Sequence, residues 1–101
     1  MITAIVLIQA ERGQTAAAGQ AIARIANVAE VYSVTGEYDL VAIVRVKQYT
    51  QMAEVVPRRI QNVPGIASTH TLMAFDHYSR HDLDRLWGIG MDTDPSPRPD
   101  S

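Results

Sequence analysis

Two segments of this 101-residue chain, residues 2–9 and 40–47, are apolar on both of the faces that a strand presents. In the first, Ile2, Ala4, Val6 and Ile8 fall on one side and Ile5 and Leu7 on the other. In the second, Leu40, Ala42, Val44 and Val46 oppose Val41 and Ile43. An antiparallel sheet with one face in water alternates apolar and polar residues, because successive side chains point to opposite faces. These segments therefore predict strands of a sheet whose two faces are both covered. What can cover them is limited by what the rest of the chain supplies.

It supplies two helices and two further strands. From Thr15 onward, Ala18, Ala21, Ile22 and Ile25 recur at helical spacing, while Gln20, Arg24 and Asn27 fall on the other side, with Asn27 as the expected stop. Residues 30–35 alternate, Tyr32 and Val34 against Val31, Ser33 and Thr35, until Gly36 interrupts them. A loop of Gly36, Glu37, Tyr38 and Asp39 then closes a hairpin onto residues 40–47. Thr50 is the expected N-cap of a second helix with Met52, Val55, Val56 and Ile60 on its apolar face. Pro57 lies inside that helix and predicts either a kink near Val56 or a start later than Thr50, since proline removes a backbone donor and clashes with the preceding turn. Val63, Pro64 and Gly65 form a turn that launches the last strand, residues 66–77.

The order β-α-β-β-α-β with short links predicts an α+β fold of ferredoxin-like type, an antiparallel sheet with both helices on one face. Two helices cover only that face. The apolar second face of residues 2–9 and 40–47 then needs another cover, and a second copy related by a two-fold axis is the simplest one. The expectation is a homodimer in which two sheets face each other as a dimeric α+β barrel.

Composition narrows the function classes. There is no cysteine, so neither a disulfide nor a thiolate metal site can form, and a reducing, cytoplasmic setting is expected. No apolar run is longer than that of residues 4–8, which is too short to span a bilayer, and no basic stretch precedes it. Nine basic and eleven acidic residues give a net charge of −2, and the only basic cluster is the pair Arg58 and Arg59. No stripe exists to displace counterions from phosphates, so direct nucleic-acid binding is not expected. The length fits one domain, residues 1–78. An extension, 79–90, follows, in which Leu83, Leu86 and Trp87 suggest one apolar helical turn, and the polar, proline-rich tail 91–101 is expected to be disordered.

The hairpin VYSVTGEYDLVAIVRV, followed by VPGIASTHTLMAF, resembles the effector-binding and oligomerisation domain of the Lrp/AsnC (feast/famine) transcriptional regulators over about residues 1–77. The specific pieces are Gly36, Tyr38 and Asp39 in the hairpin, and the Pro64-Gly65 turn followed by Thr69 and Thr71. The resemblance implies dimers that assemble further, for example into octamers, and an amino acid or related small molecule held between dimers. By position, Gly36, Tyr38 and Asp39 would form one wall of that site and Thr69, Thr71, Leu72 and Met73 the other, with Tyr49 facing the same cleft. The chemistry suits a zwitterion: a carboxylate for the ammonium, hydroxyls for either end, and open backbone amides at a glycine for the carboxylate. The first strand begins at residue 2, so the chain resembles the stand-alone form of the domain, without the usual DNA-binding domain. Such a protein would sense a metabolite or co-assemble with full-length regulators.

Other readings compete. Gly36 to Asp39 also suit a purely structural hairpin, and Thr69 and Thr71 suit ordinary strand propensity. Small dimeric α+β barrels include monooxygenases and haem-degrading enzymes, for which His70 with Asp39 would be the only acid/base candidates here. A ligand-free assembly module is the third reading. His77, His81, Asp82 and Asp84 have the residue types of a metal site but no convincing helix to hold them, and no metal or cofactor is expected.

Overall fold

A computed structural model describes residues 1–80. Strand β1 (Ile2–Ala10) leads through a short turn into helix α1 (Thr15–Ala23), and strands β2 (Val28–Ser33) and β3 (Leu40–Val46) form the hairpin. Helix α2 (Tyr49–Glu54) passes directly into a π-helical stretch, Val55–Ile60, before strand β4 (Ile66–Ala74) closes the unit. The sheet order is β2-β3-β1-β4 and every neighbouring pair is antiparallel. This is the ferredoxin-like βαββαβ arrangement, with the two doubly apolar segments at the centre of the sheet.

The core lies on one face of that sheet. Ala4, Val6 and Ile8 on β1 and Ala42 and Val44 on β3 have no exposed surface at all. They meet Ala18 and Ile22 from α1 and Met52, Val55, Val56 and Ile60 from α2 and its continuation, all buried. Direct pairing of Ala4 with Val44 and Val6 with Ala42 places a small residue opposite a larger one in the middle of the sheet, so the helices settle closely on the strands.

Several boundaries differ from those expected. Helix α1 ends at Ala23, four residues before Asn27. The N–H groups of Arg24 and Ile25 donate to the carbonyls of Ala21 and Ile22, three residues back, tightening the last turn. Asn27, with φ of 76°, reverses the chain. That early reversal starts β2 at Val28 instead of residue 30, and the strand ends at Ser33. Helix α2 is capped by Gln48, not Thr50, because the Gln51 side-chain oxygen reaches back to accept the N–H groups of Lys47 (2.9 Å) and Gln48 (3.0 Å).

Pro57 neither delays the helix nor ends it. The helix widens there, and Gln61 N–H donates to the Val56 carbonyl five residues back at 3.1 Å. A proline cannot donate, so shifting the bonding by one residue lets the helix pass it without breaking. Gly65, in the turn before β4, has φ of 91°, and a Cβ there would lie 2.7 Å from that of Gln14. Both the backbone conformation and the available space require glycine at this turn. Strand β4 stops at Ala74, three residues short of His77. The expectations for Leu83, Leu86, Trp87, His81, Asp82, Asp84 and the tail concern residues outside the described ones.

Candidate functional site

The face of the sheet opposite the helices is open. Pairing puts Ile5 across from Ile43 and Leu72, Leu7 across from Val41 and His70, and Tyr32 across from Val41. These residues form an apolar centre with a polar rim that includes Thr3, Gln9, Glu30, Arg45 and Ser68. Of the large hydrophobics exposed in one chain, Tyr32 (49%) and Leu72 (43%) lie on this face. The contrast with the buried helix side of the two central strands is direct, since Ile5, Leu7, Val41 and Ile43 all keep solvent contact.

The end of the sheet at the hairpin loop is braced by hydrogen bonds that converge on the last residues of β1. Asp39 donates its N–H to the Ile8 carbonyl (2.9 Å), and its carboxylate accepts the Ala10 N–H (2.8 Å). Its own carbonyl accepts the Val34 N–H, which closes the hairpin. The register of β1 with β4 shifts between Gln9 and Ala10, so the Asp39 carboxylate serves an N–H at an interruption of the ladder. Gln9 ties both sides together: its side-chain nitrogen donates to the Glu37 carbonyl (3.0 Å) and its oxygen accepts the Ser68 hydroxyl (2.6 Å). The structural role weighed for Asp39 is therefore realised, with one carboxylate oxygen engaged. Gly36 has φ of 110° and open space around its α-carbon.

The residues expected to line an effector site fall into separate groups within one chain. Gly36, Tyr38, Asp39 and Thr69 gather at the hairpin end, with Asp39 and Thr69 on either side of Ile8, roughly 10 Å apart by two strand spacings. Thr69, Thr71 and Met73 pair with Ile8, Val6 and Ala4, so they share the helix side of β4, whereas Leu72 pairs with Ile5 on the open face. The Thr69 hydroxyl accepts the Gln61 side chain at 2.9 Å. Tyr49 stands at the other end of the sheet, just after Val46, which pairs with Ile2; it is 62% exposed. From Ile2 to Ile8 is roughly 20 Å of strand. No single chain unites these groups. His70 lies on the open face across from Leu7, and no hydrogen bond joins it to Asp39.

One charged group on the open face was not anticipated. Arg45 lies 3.7 Å from Glu30, and the Tyr32 hydroxyl donates to the same carboxylate. This hydrogen bond, and after it the neighbouring negative charge, hold the Tyr32 phenol above its ordinary value, because ionising it would lose the bond and bring two anions together. The signal was available, since Glu30 and Tyr32 are two apart on a strand and share a face. Two depressions accompany these features. One of about 570 Å³ lies between α1 and the hairpin, lined by Thr15, Gly19, Val31, Ser33 and Leu40; one of about 600 Å³ lies on the open face around Glu30 and Arg45. Among the described residues no group of three His, Asp or Glu side chains converges as metal ligands. No helix among them is long and apolar enough to cross a membrane.

The family described as the Lrp/AsnC ligand binding domain matches residues 3–83. The chain belongs to this family. Individual similar proteins extend the comparison. The solved TTHA0845 of Thermus thermophilus is 50% identical with a TM-score of 0.74, covering 79% of this chain and 100% of that one. A feast or famine regulatory protein of M. tuberculosis, solved in complex with L-methionine, is 26% identical with a TM-score of 0.67, covering 79% of this chain and 54% of that one. The HTH-type transcriptional regulator FL11 of Pyrococcus horikoshii is 29% identical over 70 residues, 69% of this chain and 46% of the regulator. The chain thus spans about half the length of the curated regulators it matches.

Proposed function

We propose that this domain is an amino-acid-responsive assembly module of the Lrp/AsnC regulatory type. Two copies pair open face to open face, and the dimers associate into larger rings such as octamers. An amino acid binds between dimers near the hairpin end, where Gly36, Tyr38, Asp39 and Thr69 already gather and where a neighbouring copy would bring Tyr49, Thr71, Leu72 or Met73. The observation that carries this reading is the braced hairpin end. Three elements are locked together there by Asp39 and Gln9, around a glycine with open space, in a member of a ligand-binding family. A binding site between subunits also accounts for residues that one chain keeps apart. Co-assembly with full-length regulators is the route by which such a module would act on transcription, since its own charge offers no phosphate-binding stripe.

Thermal unfolding of the purified chain with each of the twenty amino acids, followed by light scattering at the same concentrations, tests this. A ligand that binds the folded state at a hundred times its Kd stabilises by about 2.7 kcal/mol, which is readily seen in the melting temperature. The expected result is stabilisation by one or a few amino acids, recovered unaltered, with a change in assembly mass. Conversion of the ligand would favour the enzyme reading, and no stabilisation by any of them would overturn the proposal.

A further inference from the structure

The depression on the open face lies where β1 begins, away from the hairpin end. Its floor includes Ile5 and Ile43, which face each other across the β1–β3 pairing. Glu30, Tyr32 and Arg45 rise from the hairpin strands on one side, and the segment leaving β4 supplies Asp76 on the other. At about 600 Å³ it sits within the range of small-molecule clefts, and it combines an apolar floor with a few charged groups.

The state of Arg45 decides what would fit. Its guanidinium is 3.7 Å from Glu30, beyond hydrogen-bonding distance, and it makes no hydrogen bond among the described residues. Attraction to Glu30 draws it to this position without spending a hydrogen bond on any described residue. Glu30 is itself steadied by the Tyr32 hydroxyl on its other oxygen. An anchored, unspent guanidinium fork matches a carboxylate in bidentate fashion. Glu30 and Asp76 accept hydrogen bonds from an ammonium, and the isoleucine floor takes an apolar side chain. The pocket's two carboxylates and one guanidinium, with the His77 imidazole also on its wall, suit a zwitterion better than a simple anion, which the carboxylates would repel.

We infer that this chamber is a second amino-acid site, one per protomer, for α-amino acids with apolar side chains. It rests on the reading that the domain binds amino acids, but it is a different place. Arg45 pairs with Thr3 and Asp39 bonds to Ile8, five residues along β1, roughly 17 Å away. Because the chamber lies on the open face, a second copy packed there closes it. Ligand and dimer then strengthen each other, by the reciprocity of linked equilibria.

Isothermal titration of the full chain with the twenty amino acids, on wild type, Arg45→Gln and Asp39→Asn, tests the assignment, with light scattering to follow the dimer. The expected result is two sites per chain for the best ligand. Arg45→Gln weakens one of them roughly tenfold to a hundredfold, as loss of a charged hydrogen-bonded pair does, and Asp39→Asn leaves that one unchanged. A single site abolished by Arg45→Gln alone would also support the chamber and would remove the hairpin end as the site. Binding untouched by Arg45→Gln but lost in Asp39→Asn would overturn the chamber and leave the first proposal standing. No binding to wild type would overturn both. If Arg45→Gln dissociates the dimer, Arg45→Lys decides, since it keeps the charge and loses the fork: weakened binding by an intact dimer supports the site, and unchanged binding overturns it.

Discussion

Replacing Ile43 with alanine measures whether the open face is covered in solution. Ile43 sits at the middle of that face, across from Ile5 on β1 and Glu30 on β2, and is half-buried in one chain, while its neighbours Ala42 and Val44 are sealed on the helix side. The truncation removes three carbons, worth roughly 0.8 kcal/mol each when fully withdrawn from water. Its own sheet already covers part of the side chain, so a second copy removes about half of that, roughly 1.2 kcal/mol per protomer. Two-fold pairing counts the change twice, giving about 2.4 kcal/mol per dimer, or roughly a 50-fold rise in the dimer Kd. Sedimentation equilibrium over a dilution series reads this directly. The contrasting variant is Ile8→Ala, at a position with no exposed surface, which lowers folding stability by about 2–5 kcal/mol whatever the oligomeric state. A dimer Kd that moves less than about twofold in Ile43→Ala, or a wild type that is monomeric at micromolar concentration, would refute face-to-face pairing.

Three further outcomes are expected. Gly65→Ala forces a side chain into the left-handed region and against Gln14, and urea unfolding should show a loss of about 1–3 kcal/mol. Asp39→Ala leaves the Ala10 N–H without its partner at a part-buried position and should cost about 1–3 kcal/mol, while Asp39→Asn, which keeps an acceptor, should cost clearly less; equal losses would mean the hydrogen bond is not the cause. Tyr32 is held protonated by Glu30, so its contribution is complete below the ordinary tyrosine pKa and is lost as pH rises through the higher folded value. Ultraviolet titration should find one tyrosine ionising above the usual range, and Glu30→Gln should return it toward that range.

The sheet was readable because its signal is dense. Strands β1 and β3 each carry several apolar residues on both faces, and β-branched residues at period two leave no helical alternative. The element order followed from punctuation at Gly36 and Pro64-Gly65, where special backbone geometry leaves few residue choices. Boundaries were less readable because they depend on which donor wins a local competition. Thr50 is the better intrinsic cap, yet Gln51 reaches two backbone amides at once and sets the start of α2 at Tyr49. Asn27 was the right residue for a reversal, but the last turn tightened before reaching it, and β2 started early as a consequence.

The candidate site was readable only in part, for a different physical reason. Its proposed residues are spread over two faces and both ends of one sheet, and alternation sends Leu72 to the opposite side from Thr69, Thr71 and Met73. Such a set makes sense only where surfaces of different copies meet, so the fold of one chain fixes the positions of the pieces but not their juxtaposition. The Glu30, Tyr32 and Arg45 group is not legible in the sequence because each residue, taken singly, looks like an ordinary polar position on a strand. Sheet register brings Glu30 beside Ile43, with Arg45 two residues further along β3 on the same face. On a face whose apolar centre calls for a second copy, these charges occupy the rim that a partner would close over. Burial there strengthens any pairing that is satisfied and penalises one that is not. An arginine held 3.7 Å from Glu30, with no direct hydrogen bond to it, is on such a surface better placed to receive a ligand than to stabilise the sheet alone.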